Sequence, residues 1–277
     1  GCNSSSMSNR RPKLIGTDLD GTIVSDYGHI SQRTIDAFHA AHDAGVEIFF
    51  VTGRPPRWMK EIASTFSFGN AICANGAQLY DLRSDRVLEE WSMTIENQME
   101  IVKILREHVE GISFAVEYRD EFHHEKAYVP RWDVGVDVKP VDRIEERITE
   151  PAFKMLARCS NYEVSSDEML RRAHLYAGEL ATFTHSNSKE SLIEIAAVGI
   201  SKGATLARMA ERAGISFEDA VTFGDNPNDF SMLQWAKRSW TFEDAHPDAK
   251  HHAKFVTAAH DDDGVAQIIE QLLQLPA

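Results

Sequence analysis

Cysteine is almost absent from this chain: its 277 residues include three, Cys2, Cys73 and Cys159. None forms a CxxC pair, and three scattered thiols supply no disulfide framework of the kind that staples small secreted domains. Long apolar runs are missing as well. No stretch approaches the roughly eighteen residues of a membrane-spanning helix, and the N-terminus has no signal-type apolar segment. Together these absences predict a cytoplasmic protein with no membrane partner. Positive charge is also scarce, with 29 Lys and Arg against 43 Asp and Glu and a formal net charge of −14. A nucleic-acid backbone is held by clustered cations, so the balance argues against nucleic acid as the main partner. A small phosphorylated molecule stays compatible, because one local cationic site is enough to hold it.

What is present belongs to an ordinary globular protein: 43% apolar and 26% charged residues, in a chain long enough for one large domain or two modest ones. Residues 1–12, opening Gly1-Cys2-Asn3-Ser4-Ser5-Ser6 before Met7, read as a vector-derived remnant and a disordered start. From Lys13 strand and helix alternate. Lys13–Asp18 is a strand, Ser31 caps a helix ending at Gly45, 46–51 is a buried strand, and Pro55-Pro56 opens a helix to about Phe66. A third strand at 71–74 precedes Asn75-Gly76, a turn signal before a hairpin. This order predicts a doubly wound parallel sheet. The texture changes over 81–188, where a hairpin arm and an amphipathic helix at 95–109 precede strands at 113–118, 153–157 and 179–184. Alternation then returns with strands at 192–195, 220–223, 239–242 and 255–257. The predicted organisation is a core over 13–80 and 189–277, interrupted by an inserted α+β domain over 81–188.

Four short motifs carry candidate chemistry. Asp18-Leu19-Asp20-Gly21-Thr22 ends the first strand. Side chains at i and i+2 share a face of a strand, so Asp18 and Asp20 are expected to address one reacting centre. By itself the pentapeptide is equally a calcium loop or a turn. Thr52-Gly53-Arg54 follows the second strand and offers a hydroxyl and an unhindered amide. Ser201-Lys202-Gly203 places a lysine at a helix N-terminus, the wrong charge for the helix dipole, so an anion or a carboxylate cluster should compensate it. Gly224-Asp225-Asn226-Pro227-Asn228-Asp229 follows a later strand, and Asp225 and Asp229 are expected to converge. Each motif stands where ligands collect in open α/β sheets, at or beside the C-terminal ends of parallel strands.

In this order, the four motifs resemble those of the haloacid dehalogenase superfamily, specifically its Cof-like hydrolase branch. The long interval between Thr52 and Lys202 suits the large cap of that branch. Asn75-Gly76-Ala77, Asp229-x-x-Met232-Leu233 and Asp263-Gly264-Val265-Ala266 are similar to it too. The chain departs from many relatives at Glu243-Asp244-Ala245-His246-Pro247, where those carry a segment ending in Asn-Ala.

The resemblance implies a Rossmann-like core with an inserted cap and a magnesium-dependent phosphatase of small phosphorylated metabolites, sugar phosphates favoured. It implies Asp18 as the nucleophile forming an aspartyl-phosphate and Asp20 as general acid, then base. Thr52, Gly53, Lys202 and Asn228 would hold phosphoryl oxygens; Asp18, Asp20 (through its carbonyl), Asp225 and Asp229 would serve Mg2+. Substrate choice is expected from the cap, with Arg119, His123, His124, Lys126, Arg131 and Trp132 as candidates. A monomer is expected. The alternatives are a phosphomutase of the same superfamily and a phospholigand-binding regulator; the second acid, Asp20, speaks against a regulator.

Overall fold

The computed structural model describes residues 9–130, 138–160 and 163–277. The first apolar runs become strands separated by helices: β1 (Leu14–Thr17), α1 (Gln32–Asp43), β2 (Glu47–Val51), α2 (Lys60–Thr65), β3 (Asn70–Cys73), β4 (Gln78–Asp81) and β5 (Arg86–Glu90). The middle contains α3 (Ile95–His108), β6 (Ile112–Glu117), β7 (Phe122–His124), β8 (Lys154–Cys159), α4 (Ser166–Ala177), β9 (Ala181–Thr184) and β10 (Leu192–Ala197). Alternation returns with α5 (Lys202–Arg212), β11 (Ala220–Phe223), α6 (Phe230–Trp235), β12 (Arg238–Phe242), β13 (Phe255–Thr257) and α7 (Gly264–Leu273). Two compact units result: the described residues up to Leu88 with Lys202–Ala277, and Glu89–Ser201.

The first unit is built on an eight-stranded sheet in the order β13-β12-β11-β1-β2-β3-β4-β5. Strands β13 through β3 in that order run parallel, and β4 is antiparallel to β3. The central strands β1, β2, β3 and β11 are largely apolar because both of their faces are buried. Ile15, Ile48, Phe50 and Val221 pack on one side with Phe38 of α1 and Ile269 of α7. Leu14, Phe49, Val51 and Ala220 pack on the other with Leu206 of α5 and Met232 of α6. Helix α1 starts as its sequence directs, the Ser31 hydroxyl accepting from the Thr34 amide at 3.1 Å. Gly16 lets α5 lie close to β1, since a Cβ there would stand 2.6 Å from a Leu206 methyl carbon.

The second unit carries an antiparallel sheet ordered β7-β6-β8-β10-β9. Alternation along its strands sends Phe114, Val116, Met155, Ala157, Ile193 and Ile195 toward α3 and α4. The arrangement differs from the sequence expectations at both edges of the insertion: the hairpin arm expected inside it from 81 supplies β5 of the eight-stranded sheet, and the second unit begins at Glu89. The strand at 192–195 was expected to reopen the core, but β10 pairs with β8 and β9, so the first unit resumes at Lys202 rather than at 189. Apolar alternation defines a strand and not the sheet it joins. The short strand β7 was not anticipated; three residues set among histidines and charges carry too little pattern, and pairing with β6 defines it. Among the described residues no helix is long and apolar enough to cross a membrane.

Candidate active site

Strand β1 lies between β2 and β11. The chain leaves β1 for β2 on one side and returns by β11 on the other, so connections diverge at the C-terminal end of β1 and open a crevice there. Register brings the strand ends together: Thr17 pairs with both Phe50 and Phe223, and the Asp18 amide donates to the Phe223 carbonyl at 3.1 Å. Asp18, Thr52 and the Gly224-Asp225 turn thus start from neighbouring strand ends.

Lys202 is the first residue of α5 and is fully buried. Its Nζ donates to Asp18 Oδ1 at 2.8 Å and to Asp229 Oδ1 at 2.6 Å. The expected compensation for a lysine at this helix end is therefore a carboxylate pair. Asp229 also ties down its own loop: its Oδ2 accepts from the amides of Asp225 at 2.8 Å and Asn226 at 3.3 Å. Gly224 makes room for that carboxylate, since a Cβ there would stand 2.5 Å from Asp229 Cβ. Thr22 Oγ1 donates to Asp18 Oδ2 at 3.2 Å.

The electrostatics follow from burying three acids around one cation. Burial, then the charge of Asp229, pushes Asp18 up to about 6 against the opposing pull of Lys202. Burial and the charges of Asp18 and Asp229 raise Asp225 well above the ordinary carboxylate range. Burial works against the Lys202 ammonium, but Asp18 and Asp229 more than offset it and its pKa is raised. A like-charge cluster of this type is the condition under which a carboxylate resists ionisation.

Asp20 does not join that cluster. Its side chain is 59% exposed and is gripped by Arg54 in a fork, Nε to Oδ2 at 2.8 Å and Nη2 to Oδ1 at 2.6 Å. Arg54 also donates from Nη1 to the Trp58 carbonyl at 3.1 Å. Strand β1 stops at Thr17, so the alternation of a strand does not itself orient Asp20. Beyond the strand the Leu19 carbonyl accepts from the amides of Thr22, Ile23 and Val24, which closes a tight turn. Arg54 is a site residue that the sequence suggested only loosely, and its partner was not anticipated.

Thr52 is buried, and its Oγ1 accepts from the Arg54 amide at 3.0 Å; Gly53 beside it is half-buried. Asn228 is buried and donates from Nδ2 to Asn75 Oδ1 at 3.1 Å. The segment where the resemblance departs touches this region through backbone, the His246 amide donating to the Asp225 carbonyl at 3.0 Å. The candidate specificity residues have partners inside the second unit: Arg119 with Glu90 at 3.1 Å, His123 with Glu121 at 3.5 Å, and Lys126 with Asp142 at 2.9 Å. His124 Nδ1 lies 2.7 Å from the Glu125 carbonyl. Arg131 and Trp132 lie outside the described residues.

The acidic cluster fits a divalent cation. Carboxylate oxygens of Asp18, Asp225 and Asp229 lie within 4.8 Å of one another. Asp225 Oδ1 is buried without a hydrogen-bond partner, while Asp225 Oδ2 accepts from Asn226 Nδ2 at 3.0 Å. Gly21 allows this approach, because a Cβ there would stand 2.4 Å from Asp225 Oδ2. Hard oxygen donors of this type suit Mg2+ or Ca2+.

A parallel α/β core with an inserted α+β unit and acids gathered around one buried lysine defines a hydrolase class, and comparison with known proteins agrees. The family model of haloacid dehalogenase-like hydrolases matches residues 15–269; the chain belongs to that family, in its Cof-type branch. Pyridoxal phosphate phosphatase YbhA of Escherichia coli (strain K12) is 28% identical over 268 residues, spanning 93% of this chain and 97% of that protein. The 5-amino-6-(5-phospho-D-ribitylamino)uracil phosphatase YwtE of Bacillus subtilis (strain 168) is 28% identical over 290 residues, spanning 94% and 98%. The structure of the sugar phosphatase BT4131, of subclass IIB, superposes with a TM-score of 0.78 at 23% identity, over 94% of this chain and 98% of that one. The chain is a phosphoric monoester hydrolase of this family.

Proposed function

We propose that this enzyme is a magnesium-dependent phosphatase of small phosphorylated metabolites, sugar phosphates foremost, working through an aspartyl-phosphate on Asp18. The observation that carries the reading is Lys202, buried between Asp18 at 2.8 Å and Asp229 at 2.6 Å. A cation so placed orients the nucleophile and lets a dianionic phosphoryl group enter an acidic crevice. In the first step an Asp18 oxygen bonds to phosphorus, the bond to the leaving oxygen breaks, and Asp20 gives its proton to that oxygen. In the second, Asp20 takes a proton from water as the water oxygen bonds to phosphorus. The Asp18–phosphorus bond then breaks and inorganic phosphate leaves. Splitting one displacement into two lowers each barrier, and positioning with charge neutralisation does most of the work in phosphoryl transfer. Thr52, Asn228, Lys202 and the amide of Gly53 hold the phosphoryl oxygens. Mg2+, held by the Asp18 and Asp225 carboxylates and the Asp20 carbonyl with Asp229 in support, supplies neutralisation of the phosphoryl charge when bound.

The test is a panel of phosphorylated metabolites ranked by kcat/KM with Mg2+, including hexose phosphates and the substrates named for the two relatives. Magnesium-dependent release of inorganic phosphate, highest for a hexose phosphate and abolished in Asp18→Asn, is the expected result. Release that survives Asp18→Asn sinks the mechanism; return of the phosphoryl group to the substrate makes the enzyme a mutase; a vitamin phosphate at the top removes the sugar preference.

A further inference from the structure

Residues Ala74, Asn75 and Gly76 follow β3 with φ of 51°, 56° and 104°, three successive left-handed conformations. Asparagine and glycine tolerate this region, but alanine gains nothing from it, so the turn is held by its surroundings. The Ala74 amide donates to the Arg54 carbonyl at 3.0 Å and the Asn75 amide to the Thr52 carbonyl at 2.9 Å. Thr205 Oγ1 donates to the Gly76 carbonyl at 2.7 Å. The turn is thereby bound to the loop after β2 and to α5. It directs the Asn75 side chain, 5% exposed, to Asn228, where Asn75 Oδ1 accepts from Nδ2 at 3.1 Å.

Asn228 is 4% exposed, and its Oδ1 has no hydrogen-bond partner. Buried polar atoms are almost always satisfied, and an exception marks strain, a functional position, an ordered water or an ion; Oδ1 only accepts, so holding a phosphoryl oxygen falls to Nδ2. One hydrogen of the Nδ2 amino group is engaged by Asn75; a second hydrogen on the same nitrogen is available. The bond to Asn75 selects which end of the amide faces which way.

We infer that Asn75 is a positioning residue for phosphoryl binding: its side chain orients the Asn228 amide while its backbone anchors the Thr52 loop. This rests on the reading that Asn228 and Thr52 hold phosphoryl oxygens. Asn75 does not touch the reacting atoms. It couples two loops that reach the site from β2 and β11, which have no ladder between them because β1 intervenes.

The experiment measures inhibition of p-nitrophenyl phosphate hydrolysis by inorganic phosphate in the full chain, as a double-mutant cycle. Asn75→Gly removes the side chain and keeps a residue at ease with positive φ. It is expected to weaken phosphate inhibition by about tenfold with Asn228 present, and by clearly less in the Asn228→Ala background, since residues in contact are non-additive. An equal factor in both backgrounds, or no change in either, overturns the inference, because Asn75 would then act on phosphate independently of Asn228 or not at all. Asn228→Ala that by itself leaves phosphate inhibition unchanged overturns instead the reading beneath it. Asn75→Ser carries the same comparison if the glycine variant does not fold.

Discussion

Lys202 concentrates the electrostatic argument into one side chain. Removing one partner of a buried ion pair leaves uncompensated charge and costs about 3–5 kcal/mol. Lys202→Met is therefore expected to lower unfolding stability by roughly that amount and to reduce kcat/KM by orders of magnitude, about 100-fold or more. Urea denaturation and steady-state kinetics measure the two effects, and a stable, active variant refutes the role. Arg54 makes a different prediction. With both oxygens of Asp20 in its fork, Arg54 sets the direction of the proposed acid. Arg54→Ala should slow hydrolysis of an alkyl phosphate more than that of p-nitrophenyl phosphate, whose leaving group needs little protonation, by about tenfold or more. Equal losses for both substrates would show that the fork does not serve proton transfer. That Asp18, Lys202, Asp225 and Asp229 gather at one place was expected from the order of the four motifs, although each motif alone also admits a structural reading. Asn75 and the Arg54–Asp20 fork were not expected, since both depend on contacts between loops that follow different strands.

At the scale of elements, close approach does what no single interaction does. Gly203 sits one residue after Lys202, and a Cβ there would stand 2.4 Å from the backbone carbon of Ser231; its amide donates to Ser231 Oγ at 2.8 Å. Helices α5 and α6 thus touch through backbone at the point where Lys202 must reach the site. Gly203→Ala is expected to cost about 1–3 kcal/mol, the usual range for overpacking, and to impair catalysis by shifting Lys202. A denaturation midpoint and a kcat indistinguishable from the parent would remove this account. Most element positions could be read from apolar period and caps: Ser31 and Gly45 bracket α1, and β11 falls on residues 220–223 as expected. Strand β10 shows the limit. Its apolar run marks a strand, but only pairing with β8 and β9 assigns it to the second unit.

For the whole molecule, the gathered carboxylates link pH, metal and stability. Asp18 titrates at about 6, above its ordinary 3.8, so the folded state holds that proton more tightly than the unfolded chain. Its stabilising contribution is full at low pH and is lost as pH climbs through about 6. Asp225 shifts in the same direction. A divalent cation relieves the repulsion left by ionisation, and anything that binds only the folded state raises Tm. The rise in Tm on replacing EDTA with MgCl2 should therefore be larger at about pH 7.5 than at about pH 5. Equal rises at both values, or none, would place Mg2+ elsewhere or nowhere.

The sequence by itself determined the alternation of strand and helix, the insertion, and four motifs whose order resembles one superfamily. These are properties of local pattern, period and spacing, written in contiguous residues. Tertiary structure alone decided that Lys202 lies between Asp18 and Asp229, that Asp20 turns to Arg54, that β10 belongs to the second unit, and that Asn75 meets Asn228. Those outcomes depend on strand order and on where turns release the chain, and burial then sets the charge balance. No stretch of sequence contains that information on its own, because each contact joins segments that only the sheet brings together.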